Sequence, residues 1–329
     1  MTRAAVALDL GGTKTAGALV TSTGEILDRA AEPTPAAQGP EAVLATAASV
    51  SRQLLEKAAA QGIEVRPILG IGSAGVINPN TGQVVSATPN ISGWAGTLLA
   101  DELAARLADV PGRPIRTVRP VNDVHAHGLG EHMFRLNNGE DASGTTILVA
   151  FGTGVGGAVL IDGKPQVGRH FVAGHVGMMP APHHPEIEIF APTAEDPEHL
   201  ILEDACGGVS LPGAYRTAGG AREVATTRDL FEQAADDPTA QRVIRVSAEI
   251  AGSFLAGLVN AIDPDRLVLS GGLADSGPLW WEPMLRVYEH VRLPGIETVP
   301  APASSGGLAA LLGAASLAWA DDNPADTHH

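Results

Sequence analysis

Two short apolar runs joined by a glycine turn occur near the start of the chain and again further along, and this repeat limits the fold more than any other feature. The first copy runs from Ala4 through Asp9-Leu10-Gly11-Gly12-Thr13-Lys14 to Val20. The second is Thr145 to Phe151, then Gly152-Thr153-Gly154-Val155-Gly156-Gly157, then Ala158 to Ile161. Its spelling is GxGxxG, but a dinucleotide fingerprint needs a helix to open at the third glycine. Here another strand-like run follows. A glycine turn between strands can aim backbone N–H groups at a polyphosphate, because glycine tolerates unusual dihedrals and close approach. Taken singly, each loop is also an ordinary β-hairpin. In the first copy Asp9, Thr13 and Lys14 add a carboxylate, a hydroxyl and an ammonium. A third site follows the buried-looking strand Arg266 to Leu269, where Ser270-Gly271-Gly272 would let adenosine lie against the backbone.

Helical patterns alternate with these strands. Val43, Ala47, Val50, Leu54 and Ala58 recur at helical spacing after Pro40 and before Gly62. A second helix is expected over 97–107. A strand over 114–121 then leads into Asn122-Asp123, with a helix over 124–131 behind it. Val243, Ile250, Phe254 and Leu258 mark a longer helix that Asp263-Pro264 ends. Strand and helix alternation of this kind predicts an α/β architecture.

The chain has 329 residues, of which 44% are hydrophobic, enough for two buried cores. Its 21 basic and 37 acidic side chains leave a formal charge of -16, which argues against nucleic acid and anionic membrane surfaces as partners. Anion binding then rests on local groups such as backbone amides, Lys14 and a bound Mg²⁺. The single cysteine, Cys206, allows no intrachain disulfide and fits a reducing compartment. The sequence shows no secretory signal and no uncharged apolar run of about 20 residues, so a cytoplasmic location is expected. The polar tail 321–329 is expected to be disordered.

Eight segments in order resemble the ROK family of sugar kinases, within the superfamily of actin, hexokinase and the Hsp70 ATPase domain. They are the Asp9 hairpin, Gly72-Ser73-Ala74-Gly75-Val76, Pro89-Asn90-Ile91-Ser92-Gly93-Trp94, Val121-Asn122-Asp123, the Gly152 loop, Ala173-Gly174-His175, Leu202-Glu203 and Ser270-Gly271-Gly272. The resemblance implies a two-lobed actin/hexokinase-like ATPase fold with the ligand cleft between the lobes. It places a smaller N-terminal domain at 1–119, with a helix at 307–320 returning to it, and a larger domain at 120–306, with a hinge near 118–120. Eight residues precede Asp9 in the sequence, so no DNA-binding module like that of the family's repressors is expected ahead of the hairpin. The implied activity is transfer of the γ-phosphoryl group of MgATP to the 6-hydroxyl of a hexose or amino hexose, by a homodimer. Glucose is the broadest choice of acceptor. N-acetylmannosamine, N-acetylglucosamine or another amino sugar stays open, as does a sugar- or nucleotide-binding sensor without turnover.

Asp9, Gly11, Gly12, Thr13, Lys14, Gly152, Thr153, Gly154, Gly271 and Gly272 are the candidate nucleotide residues. Asp123 is the candidate base, because phosphoryl transfer to a hydroxyl needs a proton acceptor at the attacking oxygen. It, or Asn122, could equally be a helix N-cap. The resemblance assigns Asn90, Asn122 and Glu203 to the sugar, with Gly75 allowing close approach. Trp94 is either a wall of the pocket or a core residue. Mg²⁺ is expected on the phosphates and water, helped by Asp9 or Asp123.

The departures from the family concern specificity. Family members usually carry Glu-x-Gly-His, a sugar-binding glutamate and a zinc-binding histidine. The matching residues here are His175 and Met178. A neutral imidazole offers one donor and one acceptor and no full charge, so His175 either changes sugar selection, as in some N-acetylmannosamine kinases of the family, or is a structural histidine. The family's cysteine-rich zinc loop is replaced by 180–199, so no structural zinc is expected, and Ile187, Ile189 and Phe190 are the expected substitute packing. His183, His184 and His199 lie in the same stretch.

Overall fold

The computed structural model describes residues 2–88 and 90–320, so the tail lies outside the described residues. In chain order the elements are β1 (Arg3–Leu10), β2 (Lys14–Val20), β3 (Ile26–Pro33), α1 (Pro40–Ala60), β4 (Glu64–Ser73), β5 (Val76–Ile77), β6 (Val84–Ser86), α2 (Leu99–Leu107), β7 (Thr117–Asn122) and α3 (Asp123–Asn137). There follow β8 (Thr145–Phe151), β9 (Val155–Ile161), β10 (Lys164–Pro165), α4 (Leu202–Cys206), α5 (Leu211–Thr217), α6 (Thr227–Gln233), α7 (Pro238–Ile262), β11 (Arg266–Ser270), α8 (Pro278–Val291), β12 (Pro300–Pro302) and α9 (Ala309–Trp319). The protein is α/β.

The repeated sequence pattern becomes a repeated sheet. One five-stranded sheet has the order β3-β2-β1-β4-β7 and the other β10-β9-β8-β11-β12. Each has an antiparallel pair around a glycine loop, β1 with β2 and β8 with β9, followed by parallel neighbours. The described residues form two compact units, 2–143 with Leu160–Ala173 and 304–320, and Gly144–Val159 with Gly174–Ala303.

In the first unit α1 starts at Pro40, whose fixed φ suits the first helical turn, and ends before Gly62 at φ 65°. Its face Val43, Leu44, Ala47, Val50 and Leu54 is buried with Leu8, Leu10, Leu19 and Leu69 of the sheet. Val118 to Pro120 are paired inside the β4–β7 ladder. Pro120 is tolerated there because β7 is an edge strand.

The helix α9 packs on β1, β4 and α3 of this unit. Contact is made through glycines. A Cβ on Gly313 would lie 1.8 Å from the Ala126 carbonyl oxygen, one on Gly130 1.8 Å from that of Ala309, and one on Gly70 1.7 Å from that of Ala314. Glu131 of α3 is buried and accepts the N–H of Ser304 and of Ser305 at 3.0 Å, with the Ser305 hydroxyl at 2.8 Å. These bonds fix α3, and with it the residues at its N-terminus.

The second unit is built round α7, capped by the Asp237 carboxylate, which accepts from Thr239 N at 2.8 Å, and ended by Asp263 in the left-handed region before Pro264. Val243, Ile250, Phe254 and Leu255 join Ile147, Phe151, Leu267 and Trp280 in its core. By length and composition α7 could cross a membrane, but 67% of that window is buried inside the fold. Ile189 and Phe190 of the 180–199 stretch enter this core, with Ile187 packed against it. Glu186 pairs with Arg242 and Arg245 on α7, and His184 with Glu249 at 3.0 Å.

Candidate active site

In the first unit, β1, β4 and β7 run parallel, and the register sets Asp9 beside Gly72 and Ser73 beside Asn122. Three strands therefore deliver Asp9, the Ser73-Ala74-Gly75 turn and the Asn122-Asp123 pair to one C-terminal edge. Asn122 is the N-cap of α3. Its Oδ1 accepts from Val124 N at 3.0 Å and His125 N at 3.3 Å, while its Nδ2 donates to the Gly75 carbonyl at 2.9 Å. Asp123 is the first helical residue, half-buried, with Oδ1 accepting from Val124 N at 2.9 Å.

Trp94 is a core residue, 1% exposed, whose indole N–H donates to the Ala74 carbonyl at 3.1 Å. It braces the turn that carries Gly75. Gly75 itself has φ 99°, and a Cβ there would meet the Ser86 carbonyl at 2.8 Å, so glycine is required by the chain's own packing. Asn90 is exposed, and its carbonyl lies 3.5 Å from where a Cβ on Gly12 would be.

The turn between β1 and β2 is closed by Gly11 N–H donating to the Lys14 carbonyl at 3.1 Å, while the Thr13 carbonyl accepts from Thr34 N at 2.9 Å. Among the described residues the N–H groups of Gly12 and Thr13 make no hydrogen bond. Consecutive unused backbone donors are the feature from which anion-binding concavities are built. Beside them the Asp9 carboxyl is held above the usual carboxylate range, chiefly because burial disfavours its charge. His127 and Lys14 pull the other way, and Asp123 adds a like charge. His127 belongs to no motif that the sequence analysis singles out. The signal was its place four residues after Asp123, on the same helix face.

The second unit repeats the arrangement. Gly152 N–H donates to the Gly154 carbonyl at 2.9 Å, and the carbonyls of Gly152 and Thr153 accept from Gly208 N at 2.9 Å and Val209 N at 3.2 Å. Here the N–H groups of Thr153 and Gly154 are the ones with no hydrogen bond among the described residues. Gly271 abuts this loop: its φ is 89°, and a Cβ would lie 2.4 Å from the Phe151 carbonyl. Gly152 and Gly272 have open space where a side chain would stand.

Dihedral freedom explains Gly75 and Gly271 but not the other loop glycines, which have no positive φ. At Gly154 a Cβ would lie 2.2 Å from Glu203 Oε2, so a side chain there would displace that carboxylate. That oxygen accepts from Val155 N at 2.7 Å. His175 is half-buried at the start of a 3-10 turn whose Gly177 also faces Glu203 Oε2. His175, Glu203 and the Gly152 loop are thus gathered in the second unit, as Asp9, Gly75, Asn90, Asn122 and Asp123 are in the first.

Met178 is 67% exposed. Among the described residues no three histidine, cysteine or acidic groups are placed to hold a metal ion. His183 is exposed, and His199 pairs with Asp196 at 3.0 Å. Burial pushes the Cys206 thiol up to about 12, so it stays protonated at neutral pH.

The ROK family model matches residues 5–321. The chain belongs to the ROK family. This ROK protein is 30% identical to a glucokinase of Streptomyces coelicolor, over 96% of the chain and 98% of that protein. It is 29% identical to an N-acetylmannosamine kinase of Escherichia coli, over 82% of the chain and 84% of that protein. Among solved structures it is similar to a ROK family glucokinase from Streptomyces griseus in complex with glucose and AMPPNP, with a TM-score of 0.73, 27% identity and coverage of 95% and 98%. The ROK chain has the actin/hexokinase-like fold of such kinases.

Proposed function

We propose that this ROK protein transfers the γ-phosphoryl group of MgATP to the 6-hydroxyl of a hexose or amino hexose. The observation that carries the reading is the strand edge of the first unit, where half-buried Asp123 neighbours Asp9 and the Asn122–Gly75 bond fixes the turn beside it. The similarity to kinases named for glucose and N-acetylmannosamine supports the substrate class.

Asp123 accepts the 6-hydroxyl proton as the sugar oxygen attacks the γ-phosphorus. The bond from that phosphorus to the bridging oxygen breaks, and ADP leaves. Gly12, Thr13 and Lys14 are proposed phosphate contacts, and so are Thr153 and Gly154, through the donors left unused in each loop. Gly271 and Gly272 are the proposed adenosine contact. Asn90, Gly75, His175 and Glu203 are proposed to hold the sugar. Asn122 offers it one N–H, since its Oδ1 caps α3 and its other N–H bonds Gly75.

The neighbouring carboxylates of Asp9 and Asp123 suit Mg²⁺, a hard cation that takes oxygen ligands and keeps water. When bound it neutralises charge on the phosphates. A cytoplasmic location is proposed on the strength of the single, buried cysteine.

A specific feature favours an amino sugar as the second reading. The imidazole of His175 replaces the family's usual glutamate, and the N-acetylmannosamine kinase relative is nearly as similar as the glucokinases. ADP release from MgATP, measured with glucose, mannose, N-acetylglucosamine, N-acetylmannosamine and no sugar, decides. Turnover with one sugar supports the kinase and names its acceptor. Absence of sugar-dependent ADP with all of them, in protein that binds AMPPNP, favours a sensor.

A further inference from the structure

Glu203 stands where three stretches of the second unit meet. Its helix α4 begins beside Met179, whose carbonyl accepts from Leu202 N at 2.8 Å. Its Oε2 accepts from Val155 N at 2.7 Å, at the exit of the Gly152 loop. The pocket round the carboxylate is lined by glycines: Cβ atoms would lie 2.2 Å from Oε2 at Gly154 and 3.3 Å from it at Gly177. Just beyond α4, Gly208 N and Val209 N bind the loop's own carbonyls at 2.9 and 3.2 Å. The loop is therefore held at its exit by a carboxylate and at Gly152 and Thr153 by two backbone bonds. Among the described residues, the Thr153 and Gly154 N–H groups of this loop are the ones left without a partner. Oε1 of Glu203 makes no hydrogen bond among the described residues.

We infer that Glu203 is a positioning residue for the nucleotide: by bonding Val155 N it sets the Gly152 loop so that the Thr153 and Gly154 donors converge on phosphate. This rests on the reading of that loop as a phosphate site, and it gives Glu203 a task separate from the sugar contact proposed for it. A hydrogen bond from a backbone N–H to a carboxylate is among the stronger ones, because the acceptor is charged. Losing it releases the exit of the loop, where no other bond holds Val155 N among the described residues, while Gly152 and Thr153 stay tied to Gly208 and Val209.

The test is AMPPNP affinity without sugar, by titration calorimetry, for the full chain carrying Glu203→Ala, Glu203→Gln or Glu203→Asp. Glutamine keeps an oxygen within reach of Val155 N, whereas aspartate keeps the charge but is one methylene too short. The expected result is affinity within about twofold of wild type for Glu203→Gln and about tenfold weaker for Glu203→Ala and Glu203→Asp. Amide exchange at Val155 should be slow in wild type and Glu203→Gln and fast in the other two. A residue that touches only sugar would leave AMPPNP affinity equal in all four proteins, which overturns the inference while the nucleotide reading stands. Wild type that binds no AMPPNP overturns both. If Glu203→Ala does not fold, the Gln and Asp pair still decides, since reach and charge predict opposite orders.

Discussion

The Nδ2 of Asn122 donates to the Gly75 carbonyl at 2.9 Å, so the residue that caps α3 also ties the helix to the turn after β4. One side chain thereby sets the spacing between the proposed base next to it and the proposed sugar-binding turn. Replacing Asn122 with Ala removes a cap and this bond, and should lower stability by about 2 kcal/mol. Asn122→Asp keeps the cap oxygen but sets a carboxylate oxygen against the Gly75 carbonyl, so it should recover less than half of that loss in a denaturant titration.

Asp123 follows the cap and is the proposed proton acceptor. Asp123→Asn should reduce kcat about 10²–10⁴-fold and leave sugar affinity unchanged, because general-base assistance acts in the transition state. Steady-state turnover and sugar titration on the same preparation check this. Turnover like wild type would remove Asp123 from the mechanism.

The raised Asp9 carboxyl has a consequence for stability. A group whose folded pKa lies above its unfolded value adds stability below the unfolded value and loses it as pH rises through the folded one. Ionised Asp9 is therefore a burden on the fold at neutral pH, imposed mainly by burial. Asp9→Asn should raise Tm by a few degrees at pH 7, with the gain shrinking as pH falls toward the ordinary carboxylate range, while turnover drops. Thermal melts of both proteins across that pH range give the answer.

The helices α3 and α9 meet backbone to backbone at Gly313. Gly313→Ala would drive a methyl into the Ala126 carbonyl, 1.8 Å away, and should cost about 3 kcal/mol. Gly257, exposed in the middle of α7 with nothing within 4 Å of a built Cβ, is the contrasting case. Gly257→Ala should stabilise by about 1 kcal/mol, since alanine is the better helix former. Denaturant midpoints of the pair test whether space or helix propensity governs each site.

Much of the fold was legible because its signals are local. Strand, glycine loop and strand were visible twice, and the expected helix after Asn122-Asp123 is α3, though it extends to Asn137. The helix α8 is not legible in the sequence: Pro283 interrupts its pattern, and packing of Trp280, Met284 and Tyr288 into the core reveals its face. Trp94 was undecided between pocket wall and core, since either would bury an indole. The fold decides by giving its N–H the Ala74 carbonyl.

The sequence by itself determined which segments turn and which run as strand or helix, because dihedral preference and apolar spacing act within a few residues. It also named Asp9, Asn122, Asp123 and Glu203 as residues of interest. Only the tertiary structure decided what their atoms are bonded to. Strand register set Asp9 beside Gly72 and Ser73 beside Asn122. Chain return brought Glu203 against Gly154 and Val155. Those partners are distant in sequence, and which donors and acceptors remain for a ligand follows from a close-packed interior that satisfies all the others first.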